Sequence, residues 1–255
     1  MAWMSVQWEA LRRNIGVWQG CFDTLDRDLH LVKRTPSQLT LEPSPSGVPI
    51  NLRLLFWPDD PPEGVNPYMG DPIKQIQQSF YQVDRQLAFF PTGSFNRGSL
   101  QVAPLSRVYA EFCFLNPDRR LRMVLFWNGS GGFDQAILIR EARAHSSSVE
   151  EPVLVAEALL GSWRGEETVI SSDPYGDQAV AKPCSTTIGA DALQGLRCLP
   201  DGGGFRGPEQ VSHREGFTIE ALQLIAPDRL ERLERMHDNT GAWVKSRQQR
   251  LQRVA

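Results

Sequence analysis

The chain has 255 residues, 41% of them hydrophobic and 22% charged, with a net charge of −3. That composition suits a globular protein with a real core, and the mild negative charge excludes a global electrostatic pull toward nucleic acid. No apolar run approaches the ~18 residues needed to cross a bilayer, and the opening MAWMSVQWEALRRN lacks the basic-then-apolar order of a signal peptide, so a cytoplasmic location is expected.

The first predicted element is a helix over VQWEALRRNI, where Trp8, Leu11 and Ile15 share helical spacing. The glycine of IGVWQG ends it, and strands follow. SQLTLEP and INLRLLFW are short, β-rich and bounded by turn residues. A proline-rich insertion, FWPDDPPEGVNPYMGDPIKQIQQSF (about 56–80), reads as a lid, a docking loop or an ordinary surface loop. Then RVYAEFCFL, RRLRMVLFW and GFDQAILIRE form consecutive antiparallel strands joined by turns at NPDR and WNGSGGF.

The polar stretch RAHSSSVEE reads as a linker, dividing the chain into units 1–146 and 150–255. The second unit opens with a predicted helix over PVLVAEALL, whose Pro152 suits a first turn. LGSWRG repeats the Gly-x-Trp-x-Gly corner. RLERLERMHD favours a helix by propensity alone, but it aligns with RRLRMVLFWN and is assigned as a strand.

That alignment is part of a wider repeat. FFPTGSFNRGSLQV matches CLPDGGGFRGPEQV 109 residues later, and Pro117-Asp118-Arg119 matches Pro227-Asp228-Arg229 at 110. Gly16 and Trp18 correspond to Gly161 and Trp163. The first copy carries about 36 extra residues between its corner and FFPTG. An internal duplication is the expectation, with a shorter second copy.

A helix, a Gly-x-Trp opening the first strand, and a strand meander ending near an arginine resemble the lipocalin or calycin barrels. The resemblance implies a mainly β fold of two tandem lipocalin-like antiparallel barrels, each preceded by a short helix. It also implies barrel closure by Gly16, Trp18 and Arg140 in the first copy, and by Gly161, Trp163 and Arg250 in the second, with Arg143 and Arg253 as alternative arginines. The runs WEALRRNIGVWQG, LAFFPTGSFNRGSLQV and RLRMVLFWNGSGGFDQAILIRE further resemble an uncharacterised, mainly cyanobacterial and plastid family of double lipocalin-like proteins. That family is distantly related to the S-type lyases that attach bilins to phycobiliprotein cysteines. The resemblance implies an oxygenic phototroph as source and no settled reaction.

No catalytic signature is present: there is no G-x-S-x-G, no H-E-x-x-H and no phosphate loop. GSGG (129–132) and DGGG (201–204) fall where hairpin turns are expected, and Asn128-Gly129-Ser130 reads as a turn. His30, His145, His213 and His237 are dispersed, and Cys21, Cys113, Cys184 and Cys198 have no metal or disulfide spacing, so no metal site is expected. Glu150-Glu151 and Glu166-Glu167 read as solvated charges.

The difference between the copies is informative. The closing strands of the first are apolar (RMVLFW, AILI), which suggests a filled barrel or an apolar ligand. The matched strands of the second carry Arg232, Arg235, Lys245, Arg247 and Arg250, and strand alternation sends some of these inward. Arg232, Lys245, Arg247 and Arg250 are therefore candidate ligand residues, taking carboxylates such as bilin propionates in the second barrel or the cleft between barrels, unless Glu231 and Glu234 neutralise them. Three roles follow: a carrier of a small amphipathic molecule, possible as a tetrapyrrole or bilin; a bilin lyase or lyase-like chaperone acting on phycobiliprotein subunits; or a photosynthetic-complex assembly factor with filled barrels.

Overall fold

The computed structural model describes residues 2–58, 66–68, 70–147, 149–173, 179–199 and 203–254, with side chains from residue 6 onward. Helix α1 (Ala2–Arg12) comes first. Gln7 is fully buried and clamps it down: its Nε2 donates to the Phe89 carbonyl, and its Oε1 accepts from the Phe89 amide, both at 2.8 Å. Ala10 and Leu11 bury the same side of the helix.

Among the described residues the strands form two sheets. The first contains β1 (Gly16–Leu25), β2 (Leu31–Pro43), β3 (Ile50–Phe56), β4 (Lys74–Phe80), β5 (Leu87–Phe89), β6 (Phe95–Gly98), β7 (Val108–Leu115), β8 (Arg119–Trp127) and β9 (Phe133–Arg143). Their order is β4-β3-β2-β1-β9-β8-β7-β6-β5, so the last strand returns beside the first and the seam lies between β4 and β5. The second contains β10 (Gly161–Ser171), β11 (Lys182–Ile188), β12 (Arg197–Cys198), β13 (Gly203–Arg206), β14 (Phe217–Ala226), β15 (Arg229–His237) and β16 (Trp243–Arg253), in the order β11-β10-β16-β15-β14-β13-β12. Both are antiparallel meanders curled as lipocalin-like half-barrels. The second has no counterpart of β3 and β4.

RLERLERMHD is strand β15, despite its helical propensity. Leu230 and Leu233 are buried on opposite faces of the strand, and the cross-strand pairs with β14 and β16 override the intrinsic preference. Two expectations need correction. PVLVAEALL is not an α-helix: only Ala156–Leu159 winds, as a single 3-10 turn that buries Leu159, while Val153 and Val155 are exposed. The insertion is not all loop: KQIQQSF is the edge strand β4, paired along its length with β3. Residues 59–65 and 69 of that insertion, and 201–202 of DGGG, lie outside the described residues. Gly203 and Gly204 belong to β13 rather than to a turn.

The Gly-x-Trp-x-Gly corners are built alike. Gly16 and Gly161 have φ of +139° and +119°, which L side chains rarely adopt. Gly20 and Gly165 sit where a Cβ would collide with the carbonyl oxygens of Arg140 and Arg250 on the adjoining strand. Between the glycines, Trp18 and Trp163 are fully buried, and their indole N–H groups donate to the carbonyls of Asn14 at 2.9 Å and Leu159 at 2.8 Å. The arginine over each indole is the residue expected only as an alternative. Arg143 lies 4.3 Å from the Trp18 ring centroid, and Arg253 4.3 Å from that of Trp163. Strand alternation explains why Arg140 and Arg250 do not stack there. They point to the opposite side of β9 and β16, where Arg140 approaches Glu150 at 3.6 Å and Arg250 is exposed.

The largest apolar cluster lies between the sheets, not inside either one. It joins Phe90, Phe112, Phe114, Met123, Leu125 and Trp127 to Ile170, Phe205, Ile219, Ala221, Leu233 and Trp243. Two smaller clusters fill the insides of the curls around Trp18 and Trp163. Arg235, fully buried, crosses the junction and donates to Asn96 Oδ1 at 3.2 Å and to the carbonyls of Gly98 and Ser99 at 3.0 and 3.2 Å, while stacking 4.6 Å from the Trp243 ring. Asn96 and Gly98 come from FFPTGSFNRGSLQV, so one of the runs that carry the family resemblance also forms the joint between the two sheets.

Candidate functional site

Which face a strand residue occupies decides the chemistry of each lumen. On β8, Leu121, Met123, Leu125 and Trp127 face the second sheet, and the alternate residues Arg120 and Arg122 turn into the first lumen. The apolar look of RMVLFW therefore describes the junction. The first lumen itself is charged at one end, contrary to the expectation of an apolar barrel.

Glu141, buried on β9, is the hub of that charged end. Arg120 Nε donates to it at 2.8 Å, and Arg122 reaches it through Nε and Nη2, both at 3.1 Å. Arg122 also pairs with Glu111 at 3.1 Å. Desolvation pushes the Glu141 carboxyl upward, but the two guanidiniums outweigh it and hold its pKa below the usual range. Burial lowers the Arg120 pKa and raises that of the neighbouring Cys113 thiol.

Arg97 completes the set from β6. In register it faces Glu111, which is already engaged by Arg122, and its buried Nε has no hydrogen-bond partner among the described residues. Three guanidiniums thus meet two carboxylates, Glu111 and Glu141, leaving one positive charge uncompensated. These groups border a cavity of about 100 Å³ whose other walls include Leu39, Leu41, Leu52, Phe80, Phe89 and Phe95. Its sides are apolar and one end is cationic.

The second lumen is balanced instead. Arg232 pairs with Glu220 and, at 2.9 Å, with Glu234; Arg206 pairs with Glu220 at 2.6 Å. Arg247 pairs with Glu234 and approaches Glu167 at 3.6 Å. Three guanidiniums meet three carboxylates, and Arg206, Arg232 and Glu220 of this set line a cavity of about 60 Å³. The four cations proposed from sequence are therefore not brought together: Arg232 and Arg247 are engaged, Lys245 is exposed, and Arg250 faces the cleft between the sheets. The sequence pointed to Glu231 and Glu234 as neutralising partners, but the structure uses Glu234, Glu220 and Glu167.

That cleft encloses about 420 Å³. One wall carries Thr92 of the FFPTG turn between β5 and β6, and the other carries Glu231, Gln248, Thr168, Glu166 and Arg250 of the second sheet. Glu231 is 2% exposed, and its Oε1 accepts from Gln248 Nε2 at 2.6 Å; the same nitrogen lies 2.7 Å from Thr92 Oγ1. Among the described residues no group of three or more His, Cys, Asp or Glu is placed to hold a metal, and no helix is long and apolar enough to cross a membrane. Asn128 to Gly132, which includes GSGG, forms a hairpin turn in which Asn128 Oδ1 accepts from the amides of Ser130 and Gly132.

Residues 4–146 match the family model described as "Domain of unknown function (DUF3598), N-terminal". The chain belongs to the DUF3598 family. A crystal structure of a DUF3598 protein of unknown function from Nostoc punctiforme is 28% identical, with a TM-score of 0.78, covering 97% of this chain and 99% of that one. Residues 186–249 of this DUF3598 chain also match the C-terminal domain of "Biogenesis factor required for ATP synthase 1". An S-type phycobiliprotein lyase from Guillardia theta is distantly similar, at 14% identity and a TM-score of 0.34, over 56% of this chain and 98% of the lyase. Comparison with curated proteins gives no match.

Proposed function

We propose that this protein, built from a duplicated lipocalin-like unit, is a noncatalytic binding protein that takes a small amphipathic carboxylate into its first lumen. The carrying observation is Arg97: a guanidinium stays charged, and its unpartnered Nε lies beside an apolar cavity that already holds one excess positive charge. A carboxylate would complete the charge balance while its tail fills the space between Leu39, Leu52, Phe89 and Phe95. The cavity is well below the roughly 300–1,000 Å³ of drug-sized sites, which favours a short or single-ring acid over an enclosed tetrapyrrole.

Calorimetric titration with benzoate and hexanoate tests this. Saturable binding that weakens at least ten-fold in Arg97→Gln is expected; no binding, or equal binding by the variant, overturns it. Biliverdin in the same series, followed by its visible spectrum, tests the bilin suggested by the sequence resemblance. A second reading, an assembly factor acting through its surfaces, is favoured by the match of residues 186–249 to an ATP synthase biogenesis factor. Co-purification with ATP synthase subunits and no response to any acid would support it instead.

A further inference from the structure

The cleft between the sheets is separate from the first lumen and has different chemistry. At its inner wall sits Glu231, a carboxyl almost without solvent. It receives a hydrogen bond from Gln248 but forms no ion pair among the described residues. Arg250 is the nearest cation in register, directly opposite Glu231 on the neighbouring strand and opposite Glu166 on the other side. It pairs with neither, and its side chain is exposed at the cleft with Arg13. A buried acid at depth, and at the mouth two arginines with one exposed carboxylate, Glu166, are thus held apart across a cavity of about 420 Å³, so the mouth keeps a net positive charge.

A buried carboxyl without a cation is costly unless it is protonated or partnered. Burial raises the Glu231 pKa, outweighing hydrogen bonds from Ser94 and Gln248 and the attraction of Arg250, which is not close enough to form an ion pair. Gln248 holds the carboxyl in place, and Thr92 and Thr168 offer neutral hydrogen-bonding groups beside it. A neutral ligand would leave Glu231 unmatched, and a plain acid would meet its repulsion.

We infer that the cleft is a binding site for a small zwitterion, whose ammonium pairs with Glu231 at depth and whose carboxylate pairs with Arg250 and Arg13 at the mouth. No covalent step is involved. The two chain copies create the site, because Thr92 and Arg13 come from one and Glu231, Gln248 and Arg250 from the other.

The test is calorimetric titration of the full chain with 4-aminobutyrate and 5-aminovalerate, alongside butylamine and butyrate, which each lack one charge. At least one amino acid is expected to bind ten-fold or more tightly than either single-charge compound, and Arg250→Gln and Glu231→Gln should each weaken it at least ten-fold. Arg250 is exposed, so its variant folds whether or not Glu231→Gln does. Benzoate in the same variants separates this site from the lumen: Arg250→Gln leaves benzoate binding unchanged, and Arg97→Gln leaves amino-acid binding unchanged. Absence of binding by both amino acids, or unchanged binding in Arg250→Gln, overturns the inference, whatever benzoate does.

Discussion

Arg235 on β15 donates to the backbone carbonyl of Gly98 on β6 at 3.0 Å, joining the two sheets through a fully buried cation that forms no ion pair among the described residues. Desolvation lowers its pKa to about 9, which leaves it charged at neutral pH. Arg235→Ala strands the Gly98 and Ser99 carbonyls and opens a void against Trp243. A loss of about 3 kcal/mol is expected from those two effects. Arg235→Met, which fills the space and removes the desolvated charge, should cost less. Urea unfolding monitored by tryptophan fluorescence measures both.

His237 lies next to that joint, stacked 4.5 Å from Phe217 and 3.2 Å from the Ser99 carbonyl. Burial depresses its pKa from 6.5 to about 4, with Arg235 adding to the effect and Asp238 opposing it. The folded protein therefore keeps His237 neutral where the unfolded chain protonates it. Stability from this group is full above pH 6.5 and falls as the pH drops toward 4, by about 3 kcal/mol in total. His237→Gln should flatten the unfolding free energy across that window. An unchanged slope in the variant would show that other groups carry the acid sensitivity.

Gly20 and Gly165 differ from Gly16 and Gly161 in what they need. Their backbone is ordinary, but the adjoining carbonyl leaves no room for a methyl group. Gly20→Ala should separate β1 from β9 and cost about 2–4 kcal/mol. Gly189→Ala is the control, because a Cβ there meets nothing within 4 Å and φ is −94°. Its melting temperature should match the parent.

Arg143 and Arg140 separate stacking from surface charge. Arg143 covers Trp18 and donates to the carbonyls of Ile15 at 2.8 Å and Pro117 at 2.7 Å, so Arg143→Ala should cost about 1–2 kcal/mol and shift Trp18 emission. Arg140→Ala removes a partly exposed guanidinium that approaches the exposed Glu150 at 3.6 Å and does not cover an indole, so its cost should be smaller than that of Arg143→Ala. Denaturation of the two variants side by side decides between them; a larger loss for Arg140→Ala would contradict the stacking geometry.

Much of the fold was legible in the residues. The Gly-x-Trp-x-Gly corners, the turns at NPDR and WNGSGGF, and the strand nature of RLERLERMHD are local patterns or repeats, and local steric and hydrogen-bonding rules fix them. The edge strand KQIQQSF was missed because it is polar and lies in a proline-rich neighbourhood, with only one strand to pair with. The arginine-rich strands of the second sheet stand out in the sequence, but which of their arginines meet a carboxylate depends on Glu220 and Glu167 on other strands. RMVLFW looked like a barrel lining because alternation says that faces differ, not which face meets which neighbour.

By itself, the sequence determined two curled antiparallel sheets, their glycine-tryptophan corners, and the excess of arginine on particular strands. Those features follow from backbone sterics, turn chemistry and a side-chain period of two. Only the tertiary structure decided that the sheets stack through the apolar face of β8, which turns Arg120 and Arg122 inward. It also decided that Arg232 of β15 and Arg247 of β16 are met by Glu220, Glu234 and Glu167, while Arg97 and Glu231 form no ion pair among the described residues. Charge compensation depends on residues far apart in the chain, so no local pattern carries it.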